Sequence, residues 1–145
     1  MFSFHLLKSP MTFTGRNHPT QTIPMKNEQA DQIEDRLIDF GAQVIFLSDK
    51  LPQSRAGQHI AQQMLRAGTA PAPNYGEARG AESRADFVHK LDIALKELNE
   101  TKVWLRMIAR ARLASGEAVQ LVLEECQQLA RLLNASVQTA RRNAR

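Results

Sequence analysis

The stretch Arg66–Leu105, RAGTAPAPNYGEARGAESRADFVHKLDIALKELNETKVWL, decides the fold. Gly68-Thr69-Ala70-Pro71-Ala72-Pro73 breaks or kinks the helix it follows, because proline lacks an N–H and restricts the residue before it. Asn74 and Glu77 have the N-cap and third-position spacing of a capping box, with Asn in place of Ser or Thr. Whether residues 74–80 continue that helix or form a separate turn stays open. From residue 82 to Ser115 there is no Gly or Pro, and Phe87, Leu91, Ala94, Leu98, Leu105 and Ile108 recur at steps of three and four, interrupted once at Thr101. That period predicts a long amphipathic helix over about 82–112.

Working outward, the same period appears three more times. Ile33, Leu37, Phe40, Val44 and Leu47 predict a first helix over about 28–49, ended by Leu51-Pro52. Ser54 is placed to cap a second helix with Ile60, Met64 and Ala67 as its seam. After a break at Ser115-Gly116, Val119, Val122, Cys126, Leu129, Leu133, Val137 and Ala140 predict a fourth helix over about 117–142. Four amphipathic helices on short links pack best as an all-α, up-down-up-down four-helix bundle. Residues 28–145 are read as that domain. Residues 1–27 hold three of the six prolines and no apolar period, and are read as a disordered lead in which Met11 and Met25 offer alternative starts.

Composition limits what such a chain does. Its 145 residues are one domain's worth, and its single cysteine excludes an internal disulfide and a cysteine-based zinc cluster. No apolar run approaches the roughly 20 residues of a membrane span, so a cytoplasmic protein without membrane partners is expected. The net charge of +4 is segregated along the chain. Glu28, Asp31, Glu34, Asp35, Asp39 and Asp49 face Arg36 alone in the first helix, whereas Arg131, Arg141, Arg142 and Arg145 are unopposed at the end. In an up-down bundle the basic end of the fourth helix would lie beside the acidic start of the first, each suiting its own helix dipole.

Asn74-Tyr75-Gly76-Glu77-Ala78, followed by Phe87, Lys90, Ala94, Glu97, Glu100, Trp104 and Leu105 at helical spacing, resembles the signature of the bacterial four-helix bundle proteins. These were first met as reading frames inside intervening sequences of large-subunit ribosomal RNA genes. The resemblance extends from Asp31 to Asn143. It implies the bundle fold and assembly into rings of five, and it carries no established biochemical activity. Arg66, Asn74, Glu77 and Glu100 match recurring positions of the family, which implies a polar network, joined by Glu97, that sets how helices or subunits register. Arg66, Lys90 and Arg84 are the candidate cations for those acids.

Two helices carry apolar residues beyond their seams. At about 100° per residue, Ile93, Trp104 and Ala111 fall together with Met107 at their edge, and Leu121 and Leu132 lie off the fourth seam near Glu125. Either the core face is wide or these six residues form a subunit interface; the resemblance favours the interface. Lys102, Arg106 and Arg110, with Arg84 near the same edge, make a basic stripe that suits phosphates, or else a solvated helix face. Aromatic stacking partners are missing from that stripe, and the family's ribosomal gene context adds RNA as a partner only by analogy.

Catalytic chemistry is weakly supported. A di-metal site in a bundle needs paired Glu-x-x-His units, and the near match is Asp86-x-x-His89, whose histidine leaves the seam. His5, His18 and His59 read as surface residues, Cys126 as a packing residue and Tyr75 as a solvent-edge residue with a groove as the alternative. There is no phosphate-binding Gly-rich loop and no nucleophile elbow. The expectation is a non-catalytic homo-oligomeric scaffold or adaptor without cofactor or metal. The alternative is a sequence-independent RNA-binding accessory protein.

Overall fold

The computed structural model describes residues 25–144. Five helical segments follow in order: α1 (Met25–Lys50), α2 (Arg55–Thr69), α3 (Pro71–Arg79), α4 (Arg84–Ala111) and α5 (Gly116–Arg142). The expected lead lies outside the described residues apart from 25–27, whose backbone belongs to α1. α2 and α3 form one kinked arm, so the bundle has four arms. α1 packs on that arm and on α5, and α4 does the same. The backbones of α1 and α4 do not approach each other, which sets these two helices on the diagonal. No described helix is long and apolar enough to cross a membrane.

The kink is made by Pro71. Ala70 keeps right-handed helical angles (φ −77°, ψ −33°), and Pro71 opens α3, where its missing N–H costs nothing. The expected capping box does not form. The proline starts the helix three residues before Asn74, which therefore sits inside α3 and turns its Nδ2 back to the Ala70 carbonyl at 2.9 Å. Residues 74–79 thus belong to a short helix of their own. Gly68, expected to help break the helix, is helical and buried: a Cβ there would lie 2.7 Å from Val44 Cγ1. It permits the close approach of α2 to α1.

The other ends follow local rules. Ser54 and Ser83 accept hydrogen bonds from the backbone N–H groups of Gly57 and Asp86, each at 3.1 Å, and cap α2 and α4. α4 stops on Arg112 in the left-handed region (φ 56°), where Leu113 N bonds Ile108 O and Arg112 N bonds Ala109 O. That is a Schellman ending without its usual glycine. Gly116, read as part of the break, is instead the first residue of α5.

The seams meet in one core. Leu37, Phe40, Val44, Met64, Leu91, Leu98, Leu105, Leu129 and Leu133 are fully buried, each large side chain contributing roughly 1.5–3 kcal/mol. Thr101, the break in the α4 seam, is buried too and satisfies its hydroxyl on Glu97 O at 2.7 Å. Cys126 sits on the α5 seam and donates to Leu98 O at 3.2 Å.

Candidate functional site

Ion pairs tie each arm to its neighbours. Arg66 on α2 reaches α4, donating to Glu100 Oε1 at 2.5 Å and to Glu97 Oε2 at 3.4 Å. Lys90 on α4 donates to Glu77 on α3 at 2.8 Å. Arg79 on α3 spans to Asp31 at 2.6 Å and to Glu34, both on α1. Arg36 on α1 forks onto both oxygens of Glu125 on α5 at 2.9 and 3.0 Å, with Gln128 at 3.2 Å. Arg141 on α5 closes the circuit onto Asp92 of α4 at 3.0 Å. All involve partly exposed side chains, so each contributes little alone and together they specify register.

The expected polar network is therefore two separate links. Arg66, Glu97 and Glu100 meet, Glu77 meets Lys90, and Asn74 joins neither. The Arg66 pairing holds the Glu100 carboxyl below its ordinary pKa, while burial pushes Glu97 up despite the same arginine. Arg84, a candidate partner for these acids, donates instead to Asn143 O at 2.5 Å. The links through Arg79, Arg36 and Arg141 escaped the sequence. Arg36 alone among six acids was the available signal. The basic end of α5 lies beside the start of α1, with Gln29 and Ala30 lining one cleft with Ala140 and Asn143, but the two ends do not pair: Arg141 turns to α4, and the acids Asp31 and Glu34 of α1 take Arg79.

The six off-seam apolar residues are not brought to one place. Ile93 and Trp104 are half-buried, Trp104 against the core with its ring edge-on to His59 of α2 at 6.3 Å. Its Nε1 is buried near the Glu100 carboxyl, whose pKa it helps to lower, without reaching hydrogen-bond geometry with any of the described residues. Met107 and Ala111 are exposed further along α4. Leu121 and Leu132 lie on the opposite flank, facing α1: Leu121 is 63% exposed beside Arg36 and Gln43, and Leu132 lines a cleft with Ile33. The sequence reading missed a further set on α1, Ile38, Ile45 and Phe46, the last 67% exposed. The same angular count that picked out Trp104 would have shown them.

In the basic stripe, Arg106 and Arg110 are exposed and Lys102 is half-buried, and none makes an ion pair among the described residues. Nothing in the bundle is arranged for catalysis by a thiol. Cys126 is buried, and burial pushes its pKa up to about 12. No group of three His, Cys, Asp or Glu capable of holding a metal occurs among the described residues. The larger cleft, about 880 Å³ and open, lies between α1, α3, the start of α4 and the end of α5. Tyr75 lines it as a buried side chain, not the solvent-edge residue expected, and burial raises its pKa.

A family model described as the 23S rRNA-intervening sequence protein matches residues 31–135. The chain belongs to that family. A crystal structure from Bacteroides thetaiotaomicron, described as a protein of unknown function from the S23 ribosomal protein family, is similar with a TM-score of 0.69 and 32% identity. The similarity covers 72% of this chain and 97% of that one. No curated protein matches significantly. The span matched by the intervening-sequence family holds both residues of the Arg66, Lys90, Arg79 and Arg36 links, whereas Arg141 lies beyond it.

Proposed function

We propose that this intervening-sequence family member is a non-catalytic homo-oligomer, a four-helix-bundle scaffold or adaptor that closes into a ring. The observation that carries this reading is apolar surface left outside a complete core, with Val103 43% and Met107 46% exposed on α4 and Ile45 44% and Phe46 67% exposed on α1. Contiguous apolar surface on a helix marks a contact site. The two surfaces lie on helices whose backbones do not approach each other, which suits a copy that touches two neighbours. A ring of five is the size the family resemblance implies. Light scattering after size exclusion should give a mass several times the 16.3 kDa chain, and Met107→Asp or Phe46→Asp should lower it with helicity intact. A monomer at high micromolar concentration overturns the reading.

A second reading is favoured by a separate observation, the cations Lys102, Arg106 and Arg110 on one edge of α4, which are unpaired among the described residues. It makes the protein an accessory that binds RNA through phosphates without regard to sequence.

A further inference from the structure

Two exposed faces of the bundle differ in charge and match in character. On α1, Ile38, Ala42, Ile45 and Phe46 follow one another at helical steps, with Ile38 53%, Ile45 44% and Phe46 67% exposed. Asp35, Asp39 and Asp49 stand one turn away from them, all exposed and none in an ion pair among the described residues. On α4, Val103 (43% exposed) and Met107 (46%) are followed by exposed Ala111. Lys96, Arg106 and Arg110 border that strip, exposed and likewise unpaired among the described residues. One face is apolar with a mainly acidic rim, Lys50 standing one turn from Phe46, and the other apolar with a mainly basic rim, where Glu100 one turn from Val103 is taken by Arg66.

The fold sets these faces apart. α1 and α4 occupy the diagonal of the bundle, so their outer surfaces point in opposite directions and one copy can use both at once. We infer that the α1 face of one copy docks on the α4 face of the next, a head-to-tail contact between unlike surfaces. Like-with-like pairing, α1 on α1 or α4 on α4, would oppose charges of one sign and is disfavoured. Contacts between unlike surfaces repeat around a ring or along a filament instead of stopping at a dimer. The apolar residues supply the attraction and the rims set the partner and its orientation. The inference rests on the self-association reading above and names the surfaces it uses.

Charge exchange tests it. Asp35→Lys/Asp39→Lys gives a copy basic on both faces, and Arg106→Glu/Arg110→Glu gives one acidic on both. Each should self-associate at least about tenfold more weakly than wild type at low salt, with unchanged helicity by circular dichroism. The chain carrying all four substitutions should regain the wild-type assembly, because every junction then joins opposite charges, and an equimolar mixture of the two should regain an alternating assembly with an even number of copies. If wild type is oligomeric and either double variant keeps its mass, or the mixture stays dissociated while both are folded, the pairing of α1 with α4 is wrong although self-association survives. A wild-type monomer overturns both readings and leaves the α1 face to a different protein.

Discussion

Arg66 and Glu100 join α2 to α4 through a 2.5 Å hydrogen bond in the turn before the Pro71 kink, while Glu97, one turn earlier on α4, shares the same guanidinium at 3.4 Å. The two carboxyls feel opposite forces. Arginine lowers the pKa of Glu100, so its contribution is present above the ordinary value of 4.5 and is lost as pH falls through the folded value. Burial raises Glu97, so its ionised form works against folding once pH rises through its own folded value. Glu100→Gln should therefore cost a small amount of stability at neutral pH and nothing well below pH 4.5. Glu97→Gln should be neutral or stabilising at neutral pH. Urea midpoints for both variants across that range decide it; equal losses would mean that Arg66 does not distinguish the two.

Gly68 against Val44 is a size-matched contact, since a Cβ on Gly68 would meet both methyls of Val44 at 2.7 and 2.8 Å. Gly68→Ala should cost about 1–3 kcal/mol by overpacking. Shortening Val44 to Ala should cost about 2 kcal/mol alone. Together they should cost clearly less than the two losses added, because the new methyl enters the vacated space. Additive losses in urea denaturation would place Gly68 away from α1.

Arg112 ends α4 at φ 56°, a conformation that costs a residue with a Cβ roughly 1–2 kcal/mol. Arg112→Gly should raise stability by about 1 kcal/mol, and Arg112→Val should lower it. A thermal melt of each variant suffices. A glycine that destabilises would show that the Schellman ending is not what holds the α4–α5 corner.

Trp104 packs on the core with its Nε1 unsatisfied among the described residues, so a charge there attacks the fold before any interface. Trp104→Asp should reduce helicity itself. Trp104→Phe should stay within about 1 kcal/mol of wild type, as it loses some packing but removes the unpaired donor, and it should leave the oligomer mass unchanged. A mass that falls with Trp104→Phe at full helicity would return this residue to the subunit interface.

The four arms and nearly every core position were legible because one signal, apolar residues at three and four, repeats in each. Phe40, Leu98 and Leu129 could be placed from spacing alone. Gly68 and Pro71 were read by type, which served for the Pro71 kink and misled for Gly68: whether a glycine breaks a helix or lets two helices touch depends on what lies across from it. The ion pairs show the same limit. Arg66 with Glu100 followed from the family resemblance, but Arg36 with Glu125 joins residues 89 apart, and spacing has no means to bring them together. Surface apolar residues are only half legible, because Phe46 on α1 lies among charged residues while Trp104 on α4 is marked by its size.

The stripe of Lys102, Arg106 and Arg110 separates the scaffold from the RNA-binding reading. Repeated around a ring, weak phosphate contacts add by avidity on one long polyanion. Such binding should ignore sequence and weaken steeply with salt, because its energy comes from counterion release. The acids of α1 oppose it, and Arg84 is turned to the Asn143 carbonyl, which leaves three cations for each copy. Binding to mixed RNA should then fall in the non-specific span of about 10⁻⁴–10⁻⁶ M near physiological salt and be tighter at low salt. Replacing the three by Gln should abolish it. Because Arg106 and Arg110 also border the α4 docking face, the control is the double variant Ile45→Ser/Phe46→Ser, which weakens the same junction from the α1 side, leaves the charges unchanged and keeps the stripe. If that control binds RNA more tightly than the glutamine variant, the stripe is the RNA surface. If wild type and the glutamine variant are retained equally on a filter, or neither is retained at low salt, the stripe is a solvated helix face and the scaffold reading stands.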